Sequence, residues 1–437
     1  MPQTNQIMKL SIIGSGYVGT TVAACFAKLG HSVTNIDIDE EIVKQINSGT
    51  APIHEPGLDD LVAEYGGNQL RATTVYSAIQ DTDTTFLALP TPSREDGSID
   101  TSIIEAGARS LGETLGTKDD YHLVVVKSTV IPGTTEDVLA SIIEETSGKT
   151  RGKHFDIAMN PEFLREGSAV KDFLNPDKVV FGAETKRANE QLTEIFDPLV
   201  AKSNPAVVET GIREAEMIKY ANNTFLATKV SLVNELGNIC KEYEVDAYEV
   251  MNAIGLDERI GERFLRSGVG WGGSCFPKDT AALVSAARDK GYEPSLVEAA
   301  IEVNDKQPKR LLELLESHIA LPDKRIAILG LAFKPGTDDI RNSRSIPIIE
   351  GLQNKGAQIV AYDPVAAENM REQFPNIEYA DTALMALRGA DGALVVTDWD
   401  EFSALDDEFE QMRNPVVVDG RRIITHNDNI TYDGLTW

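Results

Sequence analysis

Lys9-Leu10-Ser11-Ile12-Ile13-Gly14-Ser15-Gly16-Tyr17-Val18-Gly19 is the stretch that decides the fold. A short apolar run ends in glycines spaced G-x-G-x-x-G, and a helical pattern follows to Leu29, where Gly30 stops it. In such a turn Gly14 permits the tight bend, Gly16 lets bare backbone approach a pyrophosphate, and Gly19 lets helix and strand pack closely. The amides at the helix start favour an anion. The motif alone is weak. About 20 residues after the turn, the run Val33-Thr34-Asn35-Ile36 ends in Asp37, where a carboxylate can hydrogen-bond both ribose hydroxyls and repel a 2′-phosphate. The stretch reads as an NAD site built from Gly14, Gly16, Tyr17, Val18, Gly19 and Asp37, with NAD favoured over NADP. The bland alternative is a tight turn beside a solvated strand end. Cys25, mid-helix between Ala24 and Phe26, reads as core packing.

Outward from this turn, short β-rich runs alternate with helical patterns: 9 to 14, 33 to 38, 84 to 90, 122 to 129, 155 to 161 and 178 to 183. Near-continuous apolar strands separated by helices predict a parallel sheet covered on both faces. From Arg213 to near Tyr243 the pattern becomes one long helix, with Met217, Ala221, Phe225, Val230, Val233 and Leu236 roughly on one face. At about 45 Å for about 30 residues, such a helix suits a spine between domains or a dimer interface. Alternation restarts near Asp323 with runs at 325 to 333, 358 to 364, 392 to 399 and 416 to 420. The expected fold is α/β: two Rossmann-like, doubly wound parallel-sheet domains, residues 1–210 and 319–437, joined by a central helical domain, 211–318. The second α/β domain lacks the full glycine fingerprint, so no second dinucleotide is expected there.

The 437 residues are 42% apolar and 25% charged, ordinary for a folded protein with several cores. Asp and Glu number 69 against 41 Lys and Arg, a net charge of −28. A field of that sign repels nucleic acid and anionic membrane, so neither is an expected partner. An excess spread along the chain also fits a surface that must stay solvated in concentrated salt. Cys25, Cys240 and Cys275 are too few and too far apart for a disulfide framework, which points to a reducing cytoplasm. No apolar run reaches membrane-spanning length. Leu10 to Ala27 superficially resembles a secretory leader, but its glycines weaken that reading. The histidines at 31, 54, 122, 154, 318 and 426 show no ligand spacing, so no metal is expected, and His54 reads as structural.

Ser267-Gly268-Val269-Gly270-Trp271-Gly272-Gly273-Ser274-Cys275-Phe276-Pro277-Lys278-Asp279 is the second informative stretch. Its glycines let backbone approach a ligand, and Pro277 suits the first turn of a helix. A cysteine at a helix N-terminus has a stabilised thiolate, and Asp279 would share its face. From these residues alone, a nucleophile and a structural cysteine in a glycine-rich turn both fit. Lys219 and Asn223, four apart, could converge on a developing negative charge; from the residues alone, Lys219 as a solvated helix face and Glu162 as a turn carboxylate are the readings favoured.

Eight segments in order resemble the UDP-glucose/GDP-mannose dehydrogenase family across almost the whole chain. They are GSGYVG with Asp37, HEPGL (54 to 58), LPTP (89 to 92), KSTV (127 to 130), NPEFLREG (160 to 167), KYANN (219 to 223), GGSCFPKD (272 to 279) and GLAFKPGTDDIRNS (330 to 343). The FPKD after the cysteine is most similar to members acting on UDP-glucose. The resemblance implies a four-electron oxidation of a sugar 6-CH2OH to a carboxylate with two NAD, through a thiohemiacetal and a thioester on Cys275. It implies that Lys219 and Asn223 stabilise the C6 oxygen and that Asp279 works with Lys219 and an ordered water held by Thr129. Glu162 would be the base for thioester hydrolysis, and Glu166 a carboxylate near the nicotinamide. Thr91, Pro92, Thr129 and Arg341 would complete the cofactor site. The substrate would meet Glu162, Phe163, Leu164, Lys219, Asn223, the backbone of Gly268, Gly270 and Gly272, then Phe333, Lys334 and Arg421, with Arg259 reaching in from a second subunit. A homodimer or higher homo-oligomer is therefore expected.

One departure stands out. Family members often carry a basic residue about five positions after the ribose aspartate, whereas this chain has Asp39-Glu40-Glu41-Ile42, an arrangement that implies weaker or more salt-dependent NAD binding. The rival readings are a sister enzyme for GDP-mannose or a UDP-N-acetylhexosamine, a two-electron 3-hydroxyacid-type dehydrogenase, and a non-enzymatic NAD-binding scaffold. The GGSC sequence argues against the two-electron enzyme, and a scaffold would not need Cys275, Lys219 and Asp279 together.

Overall fold

The computed structural model describes residues 7–425 and 429–437. The chain divides into two compact units, Met1–Ala221 and Asn222–Trp437, and the division falls inside the helix Ile212–Glu242.

The first unit holds eight strands: β1 (Lys9–Ile13), β2 (Ser32–Ile36), β3 (Leu70–Thr73), β4 (Thr84–Leu87), β5 (His122–Val126), β6 (Phe155–Met159), β7 (Lys178–Ala183) and β8 (Ala206–Thr210). They form one sheet in the order β3-β2-β1-β4-β5-β6-β7-β8. Every neighbouring pair is parallel except β6 with β7. Alternation along each strand sorts side chains between two cores. Leu123 and Val125 join Leu10, Ile12 and Phe26 on one face, while Val124 and Val126 join Leu87, Ile104 and Leu111 on the other. Phe26 anchors the first core through rings of Phe86, Phe173 and Phe196 at 5.1 to 5.4 Å. The order reverses between β1 and β4, which places the glycine turn at a topological switch point, where open α/β sheets bind ligands.

In the second unit β9 (Arg325–Leu329), β10 (Gln358–Tyr362), β11 (Glu378–Tyr379), β12 (Gly392–Val395), β13 (Val416–Asp419) and β14 (Thr431–Gly434) form a parallel sheet ordered β11-β10-β9-β12-β13-β14. Ile326 and Ile328 face one core, Ala327 and Leu329 the other. Helices Ala247–Gly255, Phe276–Asp289 and Ser295–His318 precede this sheet.

The long helix departs from the expected apolar face. Val233 is buried, but Met217, Ala221 and Phe225 are exposed. The helix's buried positions include Ser231 and Asn234, polar residues that a search for apolar periodicity passes over.

The two sheets treat the carboxylate after their second strand differently. Asp363 follows β10 as Asp37 follows β2, yet it is buried and meets five protein donors. Its Oδ2 accepts from the amides of Leu331 and Ala332 and from the Trp399 indole at 2.7 to 3.0 Å, and its Oδ1 from the amides of Val365 and Ala366. Asp363 is a structural rivet. Replacing it by Asn turns an NH2 group toward buried donors, with an expected loss of about 3 kcal/mol, or roughly 6 to 12 °C in the melting transition of a unit this size. The number of NAD molecules bound per chain stays unchanged. Calorimetry of Asp363→Asn with an NAD titration checks both halves; a changed NAD stoichiometry would contradict the structural role.

Candidate active site

The glycine turn has the geometry a pyrophosphate needs. Gly14 sits at φ +100°, and a Cβ there would lie 2.6 Å from the Ala88 carbonyl oxygen, so no side chain fits. At Gly19 a Cβ would run into the carbonyl oxygen of Gly14, which is why the helix Tyr17–Lys28 can lie against β1. A Cβ on Gly16, by contrast, would meet nothing within 4 Å, leaving bare backbone facing open space. Asp37 is oriented onto the turn: its Oδ2 accepts from the Ser15 amide at 2.6 Å and its Oδ1 from the Asp39 amide at 3.0 Å. Asp39 in turn caps the helix Glu40–Asn47, so the acidic run that departs from the family pattern serves the N-terminus of that helix. Thr91 donates to the Thr129 carbonyl at 2.9 Å and Ser128 to the Leu89 carbonyl at 2.7 Å, joining the LPTP and KSTV segments. Pro92 is exposed beside them.

A buried charge cluster lies at the other end of this unit's site. Lys219 donates to Glu162 Oε1 at 2.7 Å, and the Leu164 amide donates to Oε2 at 2.5 Å. Phe163 lies beneath two ammonium groups, Lys178 at 4.2 Å and Lys219 at 5.5 Å from its ring centre. Burial alone would raise the Glu162 carboxyl, but the Lys219 ammonium, the hydrogen bonds to it and the charge of Lys127 together hold it below its ordinary value. It is therefore ionised. Lys127, unassigned by the sequence reading, is buried and donates to Asn160 Oδ1 at 2.7 Å. Burial drives its ammonium down to about 7, with Glu162 opposing and Lys219 adding to the fall. Glu166 is half-buried on the same segment.

The cysteine half lies in the second unit. Cys275 is the N-cap of the helix Phe276–Asp289, Pro277 lies in its first turn, and the Asp279 amide donates to the Cys275 carbonyl at 2.8 Å. Cys275 is partly exposed; its side chain makes no capping hydrogen bond to this helix, and its Sγ lies 3.5 Å from Ser274 Oγ. Asp279 is buried; its Oδ2 accepts from Asn223 Nδ2 at 2.6 Å, and Lys278 Nζ makes an ion contact with its Oδ1 at 2.8 Å. Asn223 follows Lys219 by four residues along the long helix.

The glycine loop before Cys275 is tied down almost residue by residue. The Ser267 carbonyl accepts from Tyr248 OH at 2.8 Å, the Gly268 amide donates to Asn234 at 2.8 Å, and Gln307 donates to the Gly268 carbonyl at 2.8 Å. Asn304 closes a two-way pair with the Trp271 backbone, and the Trp271 indole donates to Ser231. The Gly273 amide donates to the Arg341 carbonyl at 2.9 Å. Gly270 (φ +99°) admits the Asn304 side chain, and Gly272 presses on the Asn342 carbonyl. These anchoring residues were missed because a buried Asn or Gln replaces an apolar residue in a helical stripe. In Ser295–His318 that stripe runs Ala300, Asn304, Gln307, Leu311, Leu315, and its polar members are the signal that could have revealed them.

The remaining substrate candidates cluster less tightly. Phe333 covers Gly273, Lys334 lies 5.3 Å from the Phe333 ring centre, and Arg421 donates to the Val396 carbonyl at 2.7 Å while its own amide is held by Asp419. Arg341 pairs with Asp339 at 2.7 Å on the rim of a groove of about 550 Å³. Arg259 is exposed and pairs with Asp257 at 2.5 Å. His54 is exposed, and His31 and His122 are buried in hydrogen-bonded networks. Among the described residues no three His, Cys, Asp or Glu side chains group as metal ligands; His426 lies outside the described residues.

Family models for the NAD binding domain, the central domain and the UDP binding domain of one family match residues 8–200, 213–306 and 327–426. The chain belongs to the UDP-glucose/GDP-mannose dehydrogenase family. UDP-glucose 6-dehydrogenase AglM of Haloferax volcanii is 65% identical over 429 residues, covering 98% of this chain and 100% of that one. A UDP-glucose dehydrogenase structure from the hyperthermophilic archaeon Pyrobaculum islandicum matches with TM-score 0.93 and 39% identity over 100% of this chain and 99% of that chain. A UDP-D-ManNAc dehydrogenase from Pyrococcus horikoshii matches with TM-score 0.87 and 28% identity, covering 98% of this chain and 99% of that one. The family's members are NAD-dependent, and the open backbone at Gly16 with Asp37 behind it fits that cofactor.

Lys127 makes stability depend on pH. Between about 7 and 10.5 the unfolded chain binds a proton that the folded chain does not, so stability rises with pH through this window and that contribution is lost as pH falls through about 7. In Lys127→Met the gain disappears, and the variant's melting temperature relative to wild type improves as pH drops from 10 to 7. A difference that stays flat with pH would show that the ammonium is not depressed.

Proposed function

We propose that the protein oxidises UDP-glucose to UDP-glucuronate, passing two hydrides in succession to NAD, with the sugar held on Cys275 between them. The observation that carries this reading is Cys275 as the N-cap of a helix whose first turn holds buried Asp279, hydrogen-bonded by Asn223 of the long helix. A two-electron dehydrogenase needs no such thiol. Bound NAD supplies the hydride acceptor. The 6-hydroxyl gives up its proton as C6 gives up its first hydride. The Cys275 thiolate then adds to the aldehyde carbon, so that a tetrahedral hydride donor stays in the site. Lys219 and Asn223 stabilise the oxygen that becomes negative at each stage, and Asp279 passes the proton with a water positioned by Thr129. Loss of the second hydride leaves a thioester. Ionised Glu162 takes a proton from water, the hydroxide opens the thioester, and the thiolate returns.

In this scheme residues 1–210 hold NAD, 211–318 carry the cysteine loop, and 319–437 hold the UDP-sugar with Phe333, Lys334 and Arg421. Glu166, Thr91, Pro92 and Arg341 flank the cofactor, while Phe163, Leu164 and the glycine backbone at 268, 270 and 272 flank the sugar nucleotide. The protein works in the cytoplasm, and no helix among the described residues is long and apolar enough to cross a membrane.

The assembly is a homodimer built on the long helix. Phe225, Leu232 and Ile239 are spaced by seven residues on it and are 70%, 53% and 48% exposed, an apolar stripe with the repeat of a helix–helix seam. Arg259 reaches the partner's substrate from this region. Phe225→Asp is expected to convert dimers to monomers in sedimentation and to lower activity with them; a Phe225→Asp dimer as stable as wild type would refute the seam.

The decisive assay counts NADH per mole of limiting UDP-glucose at low and molar KCl. Wild type is expected to give two, with activity maintained or enhanced in molar salt, and Cys275→Ser to lose turnover. One NADH per sugar would remove the role of Cys275. None would redirect the substrate to GDP-mannose or a UDP-N-acetylhexosamine.

A further inference from the structure

Glu55 is 1% exposed, in the loop between the helices Glu40–Asn47 and Leu58–Tyr65. Burying a carboxylate is costly unless its oxygens are satisfied by hydrogen bonds. Three donors from two distant segments satisfy this one. Oε1 accepts from the Ala169 amide at 2.7 Å; Oε2 accepts from the Gly167 amide at 2.8 Å and from the Tyr17 hydroxyl. The Gly167 amide also lies 3.2 Å from the Tyr17 hydroxyl, closing the group into a triangle.

The segments joined are telling. Tyr17 is the first helical residue of the glycine turn, directly after Gly16. Gly167 and Ala169 end the stretch that carries Glu162 and Glu166, and Gly167 takes φ +79°, where a residue with a side chain is strained. One end of the network therefore belongs to the pyrophosphate turn and the other to the segment assigned to the reacting end of the cofactor. Burial, and then the hydrogen bond to Glu55, push the Tyr17 phenol up, so it remains a neutral donor.

We propose that Glu55 is a positioning residue for hydride transfer: by holding Tyr17 and the Gly167 and Ala169 amides on one buried carboxylate, it fixes the dinucleotide turn relative to the Glu162–Glu166 segment. This rests on the placement of NAD and Glu166 proposed above. Glu55 touches neither substrate nor cofactor; it acts through Tyr17 and Gly167. In Glu55→Gln one oxygen becomes an NH2 that faces an amide donor, and the two segments part.

The test measures kcat per titrated Cys275 thiol, KM for NAD and for UDP-glucose, and the deuterium isotope effect from sugar labelled at C6. Misplacement of the reacting ends by a fraction of an ångström is expected to raise KM for NAD and lower kcat in Glu55→Gln by about tenfold each. The isotope effect on kcat should grow, while KM for UDP-glucose stays within about twofold. Tyr17→Phe, which deletes one hydroxyl and leaves both amides on Glu55, should give a weaker version of the same pattern and serves if Glu55→Gln does not fold. A lowered melting temperature with kcat per thiol, KM for NAD and isotope effect all unchanged in both variants would overturn the proposal and leave Glu55 a structural residue only. Failure of the underlying reading shows separately, as wild type that yields no NADH from UDP-glucose.

Discussion

Everything in the first unit depends on how closely one helix can approach one strand turn. Because Gly19 has no side chain, the helix Tyr17–Lys28 sits against the carbonyl of Gly14, and that proximity aims its first amides at open space. The same approach delivers Tyr17 to Glu55 and Ser15 to Asp37. A single methyl group at position 19 would displace the glycine turn, the Ser15 amide that Asp37 holds and the Glu55 triangle together. Packing at that point and recognition at the turn are thus one constraint.

How much of this was legible in the sequence follows from which signals local patterns carry. The central strands were readable because residues such as Leu123 to Val126 and Ile326 to Leu329 are buried on both faces and therefore uniformly apolar. The edge strands β3, β8, β11 and β14 were not, since Leu-Arg-Ala-Thr or Glu-Tyr has one side open to water and no continuous apolar run. In the site, glycines with a required geometry were readable from their spacing, whereas Cys275 in its glycine-rich turn left a nucleophile and a structural residue both open until the family resemblance was added. The residues that hold them were not readable: Lys127, Glu55, Asn234, Asn304 and Gln307 act across long sequence separations, and nothing in a linear pattern says which buried polar side chain meets which backbone atom.

The chain carries 28 excess negative charges, yet it gathers basic side chains around the buried Glu162. Lys178 and Lys219 lie over Phe163, and Lys219 pairs with Glu162 in a region shielded from solvent, where a charge is felt more strongly than across the wet surface. The acidic exterior and the cationic interior answer different demands: one keeps the protein hydrated, the other keeps a carboxylate ionised.

The loop from Ser267 to Gly273 has a further consequence. Glycine-rich backbone is ordinarily the most mobile part of a chain, and ordering it when a ligand arrives would consume much of the binding free energy. Here Tyr248, Asn234, Gln307, Asn304 and Ser231 immobilise it during folding. The entropy is lost once, when the protein is made, so a molecule that docked on this loop would meet a surface already shaped.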